Sequence, residues 1–154
     1  MALSEAAIGL DASYPAQPRQ VAAIRRAVCA LAGRGGVDAM TLDRIELAVS
    51  EAATNVVVHA YRATDGSGRI QVTARFVGDR LEISVRDDGG GMVPRTDSPG
   101  LGLGLSLMAG EADDFSVRSA EGGGTEVLMR FLVVAGDGPS SLRLPRCGRA
   151  PTSA

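Results

Sequence analysis

The segment Leu81-Glu82-Ile83-Ser84-Val85-Arg86-Asp87 alternates apolar and polar residues, the period of a strand with one buried face. Leu81, Ile83 and Val85 share the inward parity, and Asp87 shares it with them. The alternation then breaks into Asp88-Gly89-Gly90-Gly91-Met92. A carboxylate aimed at the core from the end of a strand needs a hydrogen-bond partner, because an unpaired buried polar group is costly. The glycines behind it let a ligand approach the backbone closely. An Asp that only caps a turn is the plainer alternative, and this segment alone leaves both open.

Elsewhere the pattern predicts a short edge strand over 8–14, ended by Pro15 and Pro18. A helix is expected over 20–32, with Val21, Ile24, Val28 and Leu31 as its apolar stripe and Gly33, Gly35 and Gly36 as its stop. A longer helix is expected over 41–61, N-capped by Asp38 or Thr41. Asp65-Gly66-Ser67-Gly68 reads as a turn, and strands over 70–77 and 80–86 flank the tight turn Gly78-Asp79. A glycine-rich stretch over 89–102 leads into a third helix over 103–111. Strands over 115–119 and 125–134 are joined by Glu121-Gly122-Gly123-Gly124. The order βααββαββ clusters its strands, which predicts an α+β two-layer sandwich: a mixed, mostly antiparallel sheet with helices on one face. The folded domain is expected over 1–135, and the Gly-, Pro-, Ser- and Arg-rich stretch 136–154 as a disordered tail.

Composition narrows the function classes. A net charge of −2 gives no bulk electrostatic footprint for nucleic acid. Three per cent aromatic residues and no Trp argue against a stacking platform for single strands. All 16 basic residues are Arg, read here as the codon bias of a GC-rich genome. Cys29 and Cys147 lie far apart and suggest neither a disulfide framework nor a metal site. With no signal-peptide pattern and no apolar run of membrane-spanning length, a reducing cytoplasm is the expected compartment.

The second helix carries Leu42, Ile45, Val49, Ala53, Val56 and Ala60 as its apolar stripe. Glu51, Asn55 and His59, spaced by four, fall on roughly the opposite face, where Leu47, Ala48 and Val58 are neighbours. A carboxylate and an amide one turn apart suit a metal–phosphate site. The amide oxygen can ligate Mg²⁺, and the carboxylate can orient or deprotonate a nucleophile. A solvated polar face is the plainer alternative, and His59 near a helix end reads as packing or capping. The run Gly100-Leu101-Gly102-Leu103-Gly104-Leu105 opens the third helix, where free N–H groups and the helix dipole favour anions. It is not the dinucleotide-binding glycine pattern, and no strand immediately precedes it; a hinge loop is its plainer reading. Thr125, after Gly123-Gly124, shares parity with Val127, Met129 and Phe131. Its hydroxyl and the Asp87 carboxylate could together read a polar ring edge in an apolar pocket.

Taken in order, Glu51-x-x-x-Asn55, Asp87-x-Gly89-x-Gly91-Met92, Gly102-x-Gly104-Leu105 and Gly124-Thr125 resemble the Bergerat ATP-binding fold shared by gyrase, histidine kinases and MutL. Within it, Ala48-Val49-Ser50-Glu51-Ala52-Ala53-Thr54-Asn55 through His59-Ala60-Tyr61 is similar to the anti-sigma-factor serine/threonine kinases. The resemblance covers about residues 8–134. It implies ATP and Mg²⁺ as ligands, with Asn55 on the metal that bridges the phosphates and Glu51 as general base. It further implies that Asp87 accepts from the adenine amino group with Thr125 assisting. Gly89 and Gly91 would admit the base, Met92 would line its pocket, and Gly102, Leu103, Gly104 and Leu105 would cradle the phosphates. One departure stands out. Family kinases usually carry a longer lid and an Arg just before the second glycine motif; here the lid is only 93–101, that place holds Gly100-Leu101, and Arg95 is its one Arg. This bears on transfer rate more than on nucleotide binding.

The implied function is an anti-sigma regulatory factor. It would bind MgATP, phosphorylate a serine or threonine of a STAS-type anti-anti-sigma partner and sequester a sigma factor, with homodimerisation left open. The competing reading is a nucleotide-binding partner-switch module without significant kinase activity. A histidine-kinase catalytic domain would need a phospho-accepting helical hairpin, for which this chain has no room. Direct contact with nucleic acid or membrane is not expected.

Overall fold

The computed structural model describes residues 9–60, 68–88 and 108–133. The sequence expectations on the 65–67 turn, the glycine-rich stretch with Arg95, the start of the third helix, Cys147 and the tail lie outside these residues, as does the His59 side chain.

The chain begins with β1 (Gly9–Pro15), followed by α1 (Pro18–Arg34) and α2 (Ala39–Asn55). A π-helical turn, Val56–Ala60, extends α2. Then come β2 (Arg69–Val77) and β3 (Arg80–Asp87), a helical turn at 108–111, β4 (Asp114–Ser119) and β5 (Thr125–Leu132). The sheet order is β1-β2-β3-β5-β4, and all four pairings are antiparallel. The α+β layering is as the sequence predicts; among the described residues the sheet has no parallel pair.

Local chemistry explains the boundaries. Pro18 opens α1, where a missing N–H costs nothing, and Arg34 lies in its last turn. Of the two candidate caps for α2, Asp38 takes the role. Its carboxylate accepts from the Thr41 N–H at 2.9 Å and from the Thr41 hydroxyl at 2.7 Å. These bonds, the hydroxyl's first, hold the Asp38 carboxyl below its ordinary range. Gly78, at φ 59, makes the two-residue turn that pairs Val77 with Arg80 and so fixes the β2–β3 register.

That register decides which side chains are buried. Ile70, Val72 and Ala74 on β2, Leu81, Ile83 and Val85 on β3, and Val127, Met129 and Phe131 on β5 point inward and are buried. They form one core with Ile24, Val28 and Leu31 of α1 and Ile45 and Val49 of α2. Truncating one of the larger members to Ala costs on the order of 2–5 kcal/mol. The other face of the sheet is polar. Glu82 binds Arg130 at 3.1 Å, Glu126 binds Arg118 at 2.6 Å, and Ser84 donates to Glu126 at 2.6 Å. A slip of one residue would drive these charges into the core, so the pattern strongly specifies the register.

Candidate functional site

Asp87 is the last residue of β3 and is 2% exposed, as the parity of its strand requires. The paired positions of β3 and β5 run as far as Arg86 and Glu126. One step further, the Thr125 backbone N–H donates to Oδ2 of Asp87 at 3.2 Å. The sequence points to the Thr125 hydroxyl as Asp87's neighbour; the structure adds the backbone N–H of the same buried residue. Gly124 closes the arrangement from above. Its φ is +89, and a Cβ there would lie 2.0 Å from the Asp87 carbonyl oxygen and 3.0 Å from Oδ1. Only glycine lets β5 begin this close to the carboxylate. Beside them Asp88 accepts from the Arg69 N–H at 2.9 Å, tying the end of β3 to the start of β2.

Glu51 and Asn55 occupy the last turn of α2, and the π turn that follows touches β3. Glu51 is half-buried. Asn55 is 9% exposed, so the solvated-face alternative fails for it. Helix α2 is buried over a wider arc than its large apolar residues indicate. Ile45, Ala48, Ala52 and Asn55, spaced 3, 4 and 3, form a second buried row. The alanines are small enough to let that face pack closely, and the amide is carried inward with them. Buried Asn55 Nδ2 has no hydrogen-bond partner among the described residues. Buried amides are almost always paired, so Nδ2 calls for a partner beyond the described residues. A half-turn of the amide exchanges its oxygen and nitrogen, so the same position can present a metal-ligating oxygen. Among the described residues no cluster of three or more His, Cys, Asp or Glu could hold a metal ion. A single amide oxygen at this position suits an ion that takes one or two protein oxygens and fills its shell with water and phosphate.

The pattern predicts one helix over 41–61, whereas the structure ends the α-helix at Asn55 and continues as a π turn over Val56–Ala60. Val56 donates its N–H to both the Ala52 and Ala53 carbonyls, and the helix widens directly after Asn55. Three successive β-branched residues, Val56-Val57-Val58, crowd a regular helix and are its signal in the sequence. π turns are frequent at functional sites.

Of the expected site residues, the structure brings Asp87 and Thr125 into contact and places Glu51 and Asn55 one turn apart on α2. Gly89, Gly91, Met92, Gly102, Leu103, Gly104 and Leu105 lie outside the described residues. Gly124 gains a structural reason that the sequence could only suggest.

Residues 14–131 match the histidine kinase-like ATPase domain family. The chain belongs to this family. It is 34% identical over 139 residues to the serine-protein kinase RsbW of Bacillus pumilus, covering 80% of this chain and 85% of that protein. The RsbW of Bacillus subtilis is 33% identical over 73% of this chain and 79% of its own length. Among solved structures, the chain carrying the RsbU and RsbW domains of Rv1364c from Mycobacterium tuberculosis superposes with a TM-score of 0.65 at 24% identity. That match covers 81% of this chain and 32% of the longer one. The catalytic domain of histidine kinase ThkA matches at 0.51 and 14% identity, covering 82% of this chain and 99% of its own. At such identities the structural likeness is one of fold. No described helix of this family member is long and apolar enough to cross a membrane.

Proposed function

We propose that this chain is an ATP-dependent serine/threonine protein kinase acting as an anti-sigma factor. It binds MgATP, phosphorylates a serine or threonine of a STAS-type anti-anti-sigma partner, and sequesters a sigma factor. The observation that carries the reading is the buried amide of Asn55, whose Nδ2 has no partner among the described residues, one turn beyond half-buried Glu51. Between the two readings the sequence leaves open, the relatives named serine-protein kinases favour the kinase.

Each residue has a physical task. Asp87, with Oδ2 held by Thr125, keeps further acceptor capacity for the adenine amino group. The bare backbone of Gly124 leaves room for that carboxylate, and Gly89, Gly91 and Met92 would line the base. Asn55 would hold Mg²⁺, which supplies neutralisation of the phosphate charge. Gly102, Leu103, Gly104 and Leu105 would offer the phosphates their backbone N–H groups. Glu51 takes the proton from the partner's hydroxyl as its oxygen attacks the γ-phosphorus. The bond to the β-phosphate oxygen breaks, ADP leaves, and the partner carries the phosphate. Little covalent work falls to the protein, so catalysis is chiefly positioning and charge neutralisation. The folded unit is proposed to end near residue 135, with 136–154 as a tail not needed for nucleotide binding.

Incubation with γ-labelled ATP, Mg²⁺ and a purified STAS-type anti-anti-sigma protein tests this reading. Label on a serine or threonine of that protein is the expected result. ATP bound without transfer to any such partner would contradict it.

A further inference from the structure

The outward face of α2 is more apolar than a surface helix of this kind needs to be. Five large apolar side chains are exposed among the described residues, and three of them, Met40, Leu47 and Val58, lie along α2 and its π extension. The other two, Val77 and Leu132, are both paired with Arg80, beside the Gly78-Asp79 turn. At 100° per residue, Met40, Leu47, Glu51 and Thr54 fall within about 60° of one line along the helix. Leu47 is 39% exposed and lies one turn before Glu51; Val58 is 42% exposed and lies about two turns after it. Exposed Thr54 sits between Glu51 and Val58. The candidate base is therefore flanked on both sides by uncovered apolar surface.

We propose that Leu47, Thr54 and Val58 form the docking ledge for the protein that brings the accepting hydroxyl to Glu51. The inference rests on Glu51 being the base. A general base works within about 3 Å of the proton it removes. A folded polypeptide element that presents a serine there is about 10 Å across. Leu47 lies about 6 Å along the helix axis from Glu51, and Thr54 about 4–5 Å on the other side, so such an element covers both, with Val58 at its rim. A water acceptor would need no ledge. The occupant is thus a folded protein whose accepting serine or threonine has an apolar side chain about one helical turn away toward Leu47 and another about two turns away toward Val58. The ledge sets the acceptor, while Asp87 and Asn55 set the nucleotide.

The test uses the full chain, MgATP and a purified STAS-type anti-anti-sigma protein as acceptor. Leu47→Glu and Val58→Glu are compared with Val77→Glu, a substitution at a site of similar exposure, 45%, at the end of β2. Leu47→Ser and Val58→Thr serve as milder variants. The expected result is a rise of roughly 10-fold or more in KM for the acceptor in the two Glu variants at the ledge, the loss expected when one apolar anchor is removed. ATP affinity should stay unchanged, the milder variants should shift KM the same way by less, and Val77→Glu should match wild type. Unchanged acceptor KM in all ledge variants would overturn the proposal. So would variants that convert a self-associated form to monomer in sedimentation with acceptor KM unchanged, because the face would then cover a second copy. Loss of transfer from wild type itself would overturn the kinase reading and the ledge together, whereas normal transfer with an insensitive ledge would overturn the ledge alone.

Discussion

The backbone N–H of Thr125 donates to Oδ2 of Asp87 at 3.2 Å, joining residues 38 positions apart at the mouth of the sheet. The bond orients a buried carboxylate without using up its acceptor capacity. It also makes Asp87→Asn informative. An Asn can accept from Thr125 or face the adenine amino group with its oxygen, but whichever it does, its NH₂ meets a donor on the other side. ATP affinity should fall by about 1–3 kcal/mol, the cost of an unmade buried hydrogen bond. Calorimetric titration giving wild-type affinity would rule out the adenine contact.

Gly124→Ala should destabilise the domain and weaken ATP binding together. The φ of +89 disfavours a side chain, and the new Cβ would sit 2.0 Å from the Asp87 carbonyl oxygen, so β5 must move away from the carboxylate. The strain is on the order of 1–3 kcal/mol. A lowered melting temperature with unchanged ATP affinity would show that Asp87 does not need this neighbour for binding.

Asn55→Ala should separate stability from function. Most buried polar truncations destabilise, but here Nδ2 has no partner among the described residues. Relief of its desolvation should offset the small cavity, leaving ligand-free stability within about 1 kcal/mol of wild type. The dependence of ATP affinity on Mg²⁺ should disappear. Chemical denaturation and titrations with and without Mg²⁺ measure the two effects.

Acid should unfold the domain through a defined set of carboxyls. Glu82 is held below its ordinary range chiefly by a hydrogen bond from Arg130, Glu126 by Arg118 and Asp113 by the Leu132 N–H; Asp38 is held low by Thr41. A lowered folded value means that the unfolded chain binds more protons in the acid range. Their contribution is complete above the unfolded value of about 4 and is lost as pH falls through the folded values. Melting temperature should be level from about pH 7 to 5 and drop below about pH 4. Glu82→Gln should make that drop shallower; an unchanged profile would remove Glu82 from the set.

Much of this architecture was legible because one face of the sheet is buried. Alternation in Leu81–Asp87 fixed which residues point inward, Gly78-Asp79 fixed the hairpin register, and Asp87 could be recognised as a buried acid before its partner was known. Helix α2 was harder to read. Its large apolar residues mark one stripe, but Ala48 and Ala52 are too small to announce a second buried row, so Asn55 read as lying opposite the core when it is part of it. The π turn was hidden for a related reason. Val56-Val57-Val58 reads as a continuing apolar pattern, whereas its crowding widens the helix and leaves Val58 outside. The pairing of Asp87 with the backbone of Thr125 depends on a contact between distant strands, which no local pattern encodes.

Glu51 is the proposed base, and single-turnover phosphate transfer by Glu51→Gln is the measurement that decides its role. The side chain keeps its size and its half-buried place on α2, so MgATP affinity, read in parallel, should match wild type. With the proton acceptor gone, transfer from bound ATP to the anti-anti-sigma protein should slow by roughly 10²–10⁴-fold. Transfer at the wild-type rate, with ATP bound normally, would contradict the assignment of Glu51 as the base and the mechanism built on it.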